Sequence, residues 1–423
     1  MMDSLVRIEN RGQLIYMLSE AAELEHGIMC CYLFCAFSMK RSVEEGVTEE
    51  QLNSMQRWRR TIMNIAVEEM LHMCLACNLL TAVGGAPHLR RPNLPASPRA
   101  YPPSFRLALA PFNRETMATF VFIERPLDLV EADAEAEGLT PHPLQTRLSD
   151  IFSSAREYRS QGQLYLGIED GLGYLSQKYG EDKLFLGPPE SQISASDFEL
   201  PGLIRVTDLA SAGEALQGIV AQGEGARGVT QNSHYGKFLA ILEEYDEILK
   251  GDPSFEPGWP VVYNPYSMLP SDISDETSIN LMEDPLSIDV SNLFDGCYEL
   301  MMQMLGRLFL QGGESQQELT KLADITVRLM TGVIGPLGEA LTTLPAGDSY
   351  PGLRAGASFR FSRDVHTPPN QAASWELFIE RLKELSAYTG FIQSNEAVAT
   401  VLERVRTSLS GCAEQLASVR QQT

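Results

Sequence analysis

The sequence predicts an all-α protein: a four-helix bundle followed by a C-terminal helical domain, with small irregular or β insertions. Three observations lead there. Apolar residues recur in alternating steps of four and three along several long segments. Side-chain capping patterns stand in front of those segments, and glycine or proline closes them.

The first segment opens on Asn10 followed by Gln13, and its seam is Leu14, Leu18, Ala21, Glu25, Ile28, Tyr32 and Cys35. The second opens on Thr48 followed by Gln51 and runs through Trp58, Ile62, Ile65, Glu69, His72, Ala76, Leu79 and Val83. Gly84, Gly85 and Pro87 end it. Residues 88–114 are proline-rich and read as a loop with one short strand at 105–110, then a helix at 114–123; residues 126–144 read as an acidic loop. The third long helix is expected from about 148 to 179, with Leu164, Tyr165, Ile168, Leu172 and Leu175 as its stripe. A fourth is expected from a Ser211/Glu214 capping box to about 249, interrupted by Gly223, Gly225 and Gly228 and resuming on His234, Phe238, Ile241 and Tyr245.

Six prolines between Pro253 and Pro285 exclude long helix, so residues 1–250 read as the bundle domain, 251–285 as a linker and 286–423 as the C-terminal helical domain. In that last part, 286–311, 315–343, 372–389 and 394–420 are helical in pattern. It contains only His366 and no close histidine–carboxylate pairing, which suits packing, a lid or self-association rather than chemistry.

Composition narrows the function. The chain has 423 residues, 44% hydrophobic and 21% charged, as ordinary globular proteins do. Lys and Arg number 33 against 56 Asp and Glu, a net charge of −23, which disfavours nucleic acid and anionic membrane as partners. The N-terminus has no basic stretch leading into an apolar one, and the most apolar segment, residues 28–39, is too short to span a bilayer. The expectation is a cytoplasmic protein. Cys30, Cys31, Cys35, Cys74 and Cys77 lie within apolar helical patterns, and the Cys74/Cys77 pair reads as two core thiols one turn apart, ahead of a redox pair or thiolate ligands. No phosphate loop or nucleophile elbow is present.

Chemistry is concentrated where the two seams stop being apolar. A buried carboxylate without partners would take up a proton, so Glu25, Glu69 and His72 call for a counter-charge such as a metal ion. Glu69 and His72 stand one turn apart on one face, and Glu25 faces them; this is half of the di-iron carboxylate pattern. The alternative is a buried hydrogen-bonded network. For the other half, Glu224 and His234 flank the glycine break, and helix three offers Glu169, with Glu157 as fallback; each of the last two lies at the stripe's edge, where a solvated acid is the alternative. His26 sits on the neighbouring face, either orienting a ligand or simply in the core. His88, His142 and His366 fall in loops.

The runs Ala22-Glu23-Leu24-Glu25-His26, Val67-Glu68-Glu69-Met70-Leu71-His72-Met73 through Asn78-Leu79-Leu80 to Gly84-Gly85, Gln222-Gly223-Glu224-Gly225 and Ser233-His234-Tyr235 resemble the ferritin-like domain family named for iminophenylpyruvate dimer synthase. That family includes a region of the enzymes that couple two indolepyruvate imines in the violacein and rebeccamycin pathways. The resemblance covers about residues 10–250 and implies Glu25, Glu69, His72, Glu224 and His234 as the metal-facing set. Residues and resemblance together lead to the expectation of a non-haem iron enzyme with two irons per chain, manganese or zinc being alternatives. It would use dioxygen to oxidise or couple a small amino-acid-derived substrate in specialised metabolism. Self-association into a homo-oligomer stays open. A non-catalytic scaffold in a biosynthetic complex is the second reading and iron handling the third.

Overall fold

The computed structural model describes residues 8–97, 105–126, 160–223, 231–269, 279–310, 312–362, 366–392 and 396–420. Its regular secondary structure is almost all helical, joined by long irregular segments. Helix α1 (Arg11–Phe37) starts at Asn10, whose side chain accepts from the Gln13 N–H at 2.9 Å. Gln13 itself reaches the Glu9 N–H, so the cap is single rather than reciprocal. Helix α2 (Glu49–Ala82) has the full box, with Thr48 and Gln51 each accepting from the other's backbone. It ends in a Schellman motif: Gly84 adopts φ +86°, its N–H donates to Thr81 O, and the Gly85 N–H donates to Leu80 O.

Every seam residue named for α1 and α2 is buried. By length and composition α2 could cross a membrane, which the reading centred on residues 28–39 did not single out. Its apolar window is 83% buried inside the protein, as expected of a bundle-core helix.

Helix α3 (Arg114–Ile123) falls where the sequence places it, capped by Asn113. Residues 105–110 form no strand; one antiparallel bridge joins Ala96 to Leu107. Helix α4 (Gln161–Tyr179) starts at Ser160, later than expected, because the Ser160 side chain caps the Gln163 N–H; residues 148–159 lie outside the described part. A short α5 (Glu181–Leu184) follows. The expected fourth helix is two helices, α6 (Leu209–Gln222) and α7 (His234–Gly251). The box that opens α6 is Asp208 with Ser211, not Ser211 with Glu214, since Asp208 supplies the stronger acceptor for the Ser211 N–H.

A two-residue parallel pair, β1 (Pro265–Tyr266) with β2 (Asn280–Leu281), sits in the proline-rich stretch. Then come α8 (Pro285–Leu310), α9 (Gln316–Leu329), a π segment (Met330–Ile334), α10 (Gly335–Leu341), α11 (Gln371–Phe391) and α12 (Glu396–Arg420). The π turn stands just before Pro336, where a missing N–H disturbs the helical ladder.

Two of these later helices, α8 and α10, pack onto α1. Gly338 meets Phe37 so closely that a Cβ there would lie 2.4 Å from two ring carbons. Tyr298 of α8 bonds His26 and lies 3.2 Å from the Cys30 sulfur. His26 therefore belongs to this joint rather than to the carboxylate layer. All seven cysteines are buried and unbridged, and burial pushes the Cys77 thiol up to about 12, which agrees with core thiols.

Candidate metal centre

Four helices bring their polar residues to one layer. The α1 seam delivers Glu25 and the α2 seam delivers Glu69 and His72, all buried. His234 is the first residue of α7, fixed there because Ser233 caps the Gly236 N–H at 3.2 Å. A cluster of Tyr32, Phe120 and Phe238, with ring centroids 4.5–5.2 Å apart, locks α1, α3 and α7 together beneath it. That packing carries Glu124, the residue closing α3, into the same layer.

Glu69 is the centre. Its Oε2 lies 2.9 Å from His72 Nδ1 and its Oε1 lies 2.9 Å from His234 Nδ1. Glu25 Oε2 stands 3.7 Å from the first imidazole and Glu124 Oε2 stands 3.6 Å from the second. The result is two triads, Glu25–Glu69–His72 and Glu69–Glu124–His234, sharing one carboxylate. Tyr165 of α4 donates to Glu25 Oε1 at 2.5 Å, and Tyr32 donates to Glu124 Oε1. On the outer side, His72 Nε2 meets Gln222 Oε1 at 3.1 Å and His234 Nε2 meets Glu68 Oε2 at 2.8 Å, with Lys237 Nζ 2.7 Å from the same oxygen.

The electrostatics are those of a crowded anionic layer. Burial and the neighbouring Glu69 charge push Glu25 up to about 8. Burial and Glu69 likewise raise Glu124, which also sits at the negative end of α3. Burial opposes the ionised form of Glu69, but the two flanking imidazoles outweigh it and hold this carboxyl well below its usual range. Burial also opposes charge on His72, yet Glu69 and Glu25 lift it to about 10; Glu69 and Glu124 raise His234 in the same way.

The chemistry of this donor set fits a pair of metal ions. Glu25 Oε2, Glu124 Oε2 and His234 Nδ1 are buried with no hydrogen bond, and all three face the interior of the triads. Both imidazoles turn Nδ1 inward and have Nε2 held from outside, the arrangement that fixes a metal-binding tautomer. Mixed carboxylate and imidazole donors suit iron or manganese, and affinity alone would also admit zinc.

The structure thus gathers four of the sequence-derived candidates, Glu25, Glu69, His72 and His234. It does not gather Glu169, which is exposed: it lies one position past Ile168, about 100° round the axis, and α4 contributes Tyr165 instead. Glu224 and Glu157 lie outside the described residues, as does His142. His88 is partly buried and pairs with Glu23 at 2.7 Å, while His366 is exposed. Glu124 was missed, although Met117, Phe120 and Glu124 follow the same three-and-four spacing that singled out Glu25 and Glu69. The motif partner three residues before His234 is Gln231, exposed, so the second half departs from a symmetric Glu-x-x-His pattern.

A helical bundle with carboxylates and imidazoles converging in its core defines a class of metal-site scaffold. The chain belongs to the Ferritin-like family, whose model matches residues 18–243. It is 28% identical over 400 residues to the 2-imino-3-(indol-3-yl)propanoate dimerase of Chromobacterium violaceum, covering 90% of this chain and 37% of that protein. It is 26% identical over 449 residues to the dichlorochromopyrrolate synthase of Lentzea aerocolonigenes, covering 97% of this chain and 41% of that one. The chain therefore spans about two fifths of the length of each relative. These matches agree with the resemblance drawn from the residues alone. A crystal structure of a ferritin like protein from Caulobacter vibrioides superposes with a TM-score of 0.51 at 17% identity, over 84% of this chain and all of that one, and shows the shared fold.

Proposed function

We propose that this chain is a non-haem di-iron oxidoreductase that uses dioxygen to oxidise or couple a small amino-acid-derived substrate in natural-product biosynthesis. The observation that carries the reading is the shared Glu69, with a buried triad on each of its two oxygens. Glu25, Glu69, His72, Glu124 and His234 would hold the metals. Bound iron would supply electron transfer between substrate and dioxygen. The name of one relative, a 2-imino-3-(indol-3-yl)propanoate dimerase, supports an imine of a 2-oxo acid as the substrate class. Joining two such units through carbon with loss of two hydrogens releases two electrons and two protons, and dioxygen is the acceptor of both.

The chain's own residues set the conditions for that chemistry. Tyr165 and Tyr32 each fix one oxygen of a carboxylate, leaving Glu25 Oε2 and Glu124 Oε2 directed inward. The buried layer excludes water, which strengthens every charge interaction inside it. In the metal-free layer Glu25, pushed up to about 8 by burial and the Glu69 charge, holds a proton near neutral pH that a bound metal would displace.

Ferrous loading without oxygen, followed by air, tests this reading. A transient near-ultraviolet or visible absorption is expected from protein loaded with iron. A bundle that is only structural would take up no stoichiometric iron and give no such signal.

A further inference from the structure

We infer that the two metal positions on either side of Glu69 are unequal: the Glu69–Glu124–His234 position fills first and holds its ion more tightly, with Glu68 as the positioning residue that makes it so. This rests on the metal reading proposed above and goes beyond it.

Seen from inside, the described residues of the two halves are alike. Each imidazole Nδ1 lies 2.9 Å from one oxygen of Glu69, and each has a second carboxylate oxygen at 3.6–3.7 Å. They differ behind the imidazoles. His234 Nε2 faces the Glu68 carboxylate at 2.8 Å, whereas His72 Nε2 faces the neutral amide oxygen of Gln222 at 3.1 Å. An imidazole that donates to a carboxylate is the more basic ligand at its other nitrogen, and such partners change metal affinity by roughly 10–100-fold. Among the described residues, only His234 has one.

Glu68 is well placed to keep this role. Lys237, one turn from His234 on α7, contacts both Glu68 oxygens at 2.7 and 3.1 Å and favours the ionised form. Glu68 is next to Glu69 on α2, and α2 is pinned to α7 again by Trp58 Nε1 donating to Glu244 Oε2 at 2.7 Å. Gln222, by contrast, is the last residue of α6, followed by Gly223 at the C-cap. Two effects run the other way: His234 stands at the positive end of α7, and the Lys237 ammonium 2.7 Å from Glu68 Oε2 offsets part of that carboxylate's charge. The helix end carries about half a charge spread over several N–H groups, and Lys237 reaches the imidazole only through Glu68, whereas the Glu68 oxygen is in direct contact with the ring. Glu68 therefore decides the order.

The experiment is a manganese(II) titration of the metal-free full chain, followed by electron paramagnetic resonance. Free ion gives affinities, and the loss of the isolated-ion signal as exchange coupling appears reports the second ion. Two steps are expected, with a single-ion signal near one equivalent. Glu68→Gln should weaken the first step by roughly 10–100-fold and leave the second within about threefold. Gln222→Glu should tighten the second step, a gain that a merely structural role would not give. At limiting metal His72→Ala should keep the tight site and His234→Ala should lose it. Equal steps in the wild type, equal weakening of both steps by Glu68→Gln, or loss of the tight step in His72→Ala would overturn the inference and leave the two-metal reading standing. No binding of manganese at all would instead overturn the metal reading, and this inference with it.

Discussion

Glu69 Oε1 lies 2.9 Å from His234 Nδ1, although these residues come from helices α2 and α7 at opposite ends of the bundle sequence. The other oxygen of the same carboxylate serves His72 at the same distance. One side chain thus joins two otherwise separate triads, so its loss should be felt on both sides.

The first prediction contrasts two glutamates. Glu124→Ala should remove much of the metal bound at the His234 side, lowering iron content of protein expressed with iron. Glu169→Ala should leave iron content unchanged and alter stability by no more than about 0.5 kcal/mol, as surface substitutions do. Metal analysis of both variants checks this, and equal iron loss in the two would contradict the placement of Glu124.

Titration supplies the second. Glu25 and His72 are raised above their ordinary values of 4.5 and 6.5, to about 8 and about 10. The folded metal-free state therefore binds these protons more tightly than the unfolded chain. Their stabilisation is fully present below the ordinary values and is lost as pH rises through about 8 and then about 10. Denaturant midpoints of metal-free protein should fall between pH 7 and 9. Metal binding must displace the same protons, so loading at pH 7 should release acid into weakly buffered solution. An unchanged midpoint together with no proton release would show that these groups are not coupled as described.

A third prediction concerns the later helices. Arg307 and Glu314 form a fully buried ion pair at 2.5 Å, and Arg307 also donates to Pro369 O at 2.9 Å. Arg307→Met should cost about 3–5 kcal/mol, because it leaves the carboxylate buried without its partner. Replacing both residues with apolar ones should recover much of that loss in urea melts.

The joint between α1 and α10 gives the fourth. Gly338→Ala sets a Cβ 2.4 Å from the Phe37 ring and should destabilise by about 1–3 kcal/mol. Phe37→Leu in the same chain should relieve part of that strain, a coupling that a double-mutant cycle measures directly.

How much of this was legible beforehand depends on the reach of local spacing. Both long seams were readable because a residue every third or fourth position is a local rule, and it places Glu25, Glu69 and His72 without any knowledge of their neighbours. Gly84 and Gly85 were legible for the same reason, since a Schellman ending is written in adjacent residues. Glu124 obeys the same rule but closes a helix of only 10 residues, too short for a seam to stand out. The outward turn of Glu169 depends on how α4 rotates against α1, which is tertiary packing. Gln222 and Glu68 reach imidazoles on other helices, and no spacing within either segment announces that. The capping partner of α6 shifted from Ser211 to Asp208 because both fit the local pattern and the better acceptor prevailed.

The most direct test of the centre is diffraction from crystals of iron-loaded protein, collected on both sides of the iron absorption edge. Two anomalous peaks are predicted, one among Glu25, Glu69 and His72 and one among Glu69, Glu124 and His234. Iron-loaded crystals with no peak in that layer, or with iron only at surface sites elsewhere, would contradict it.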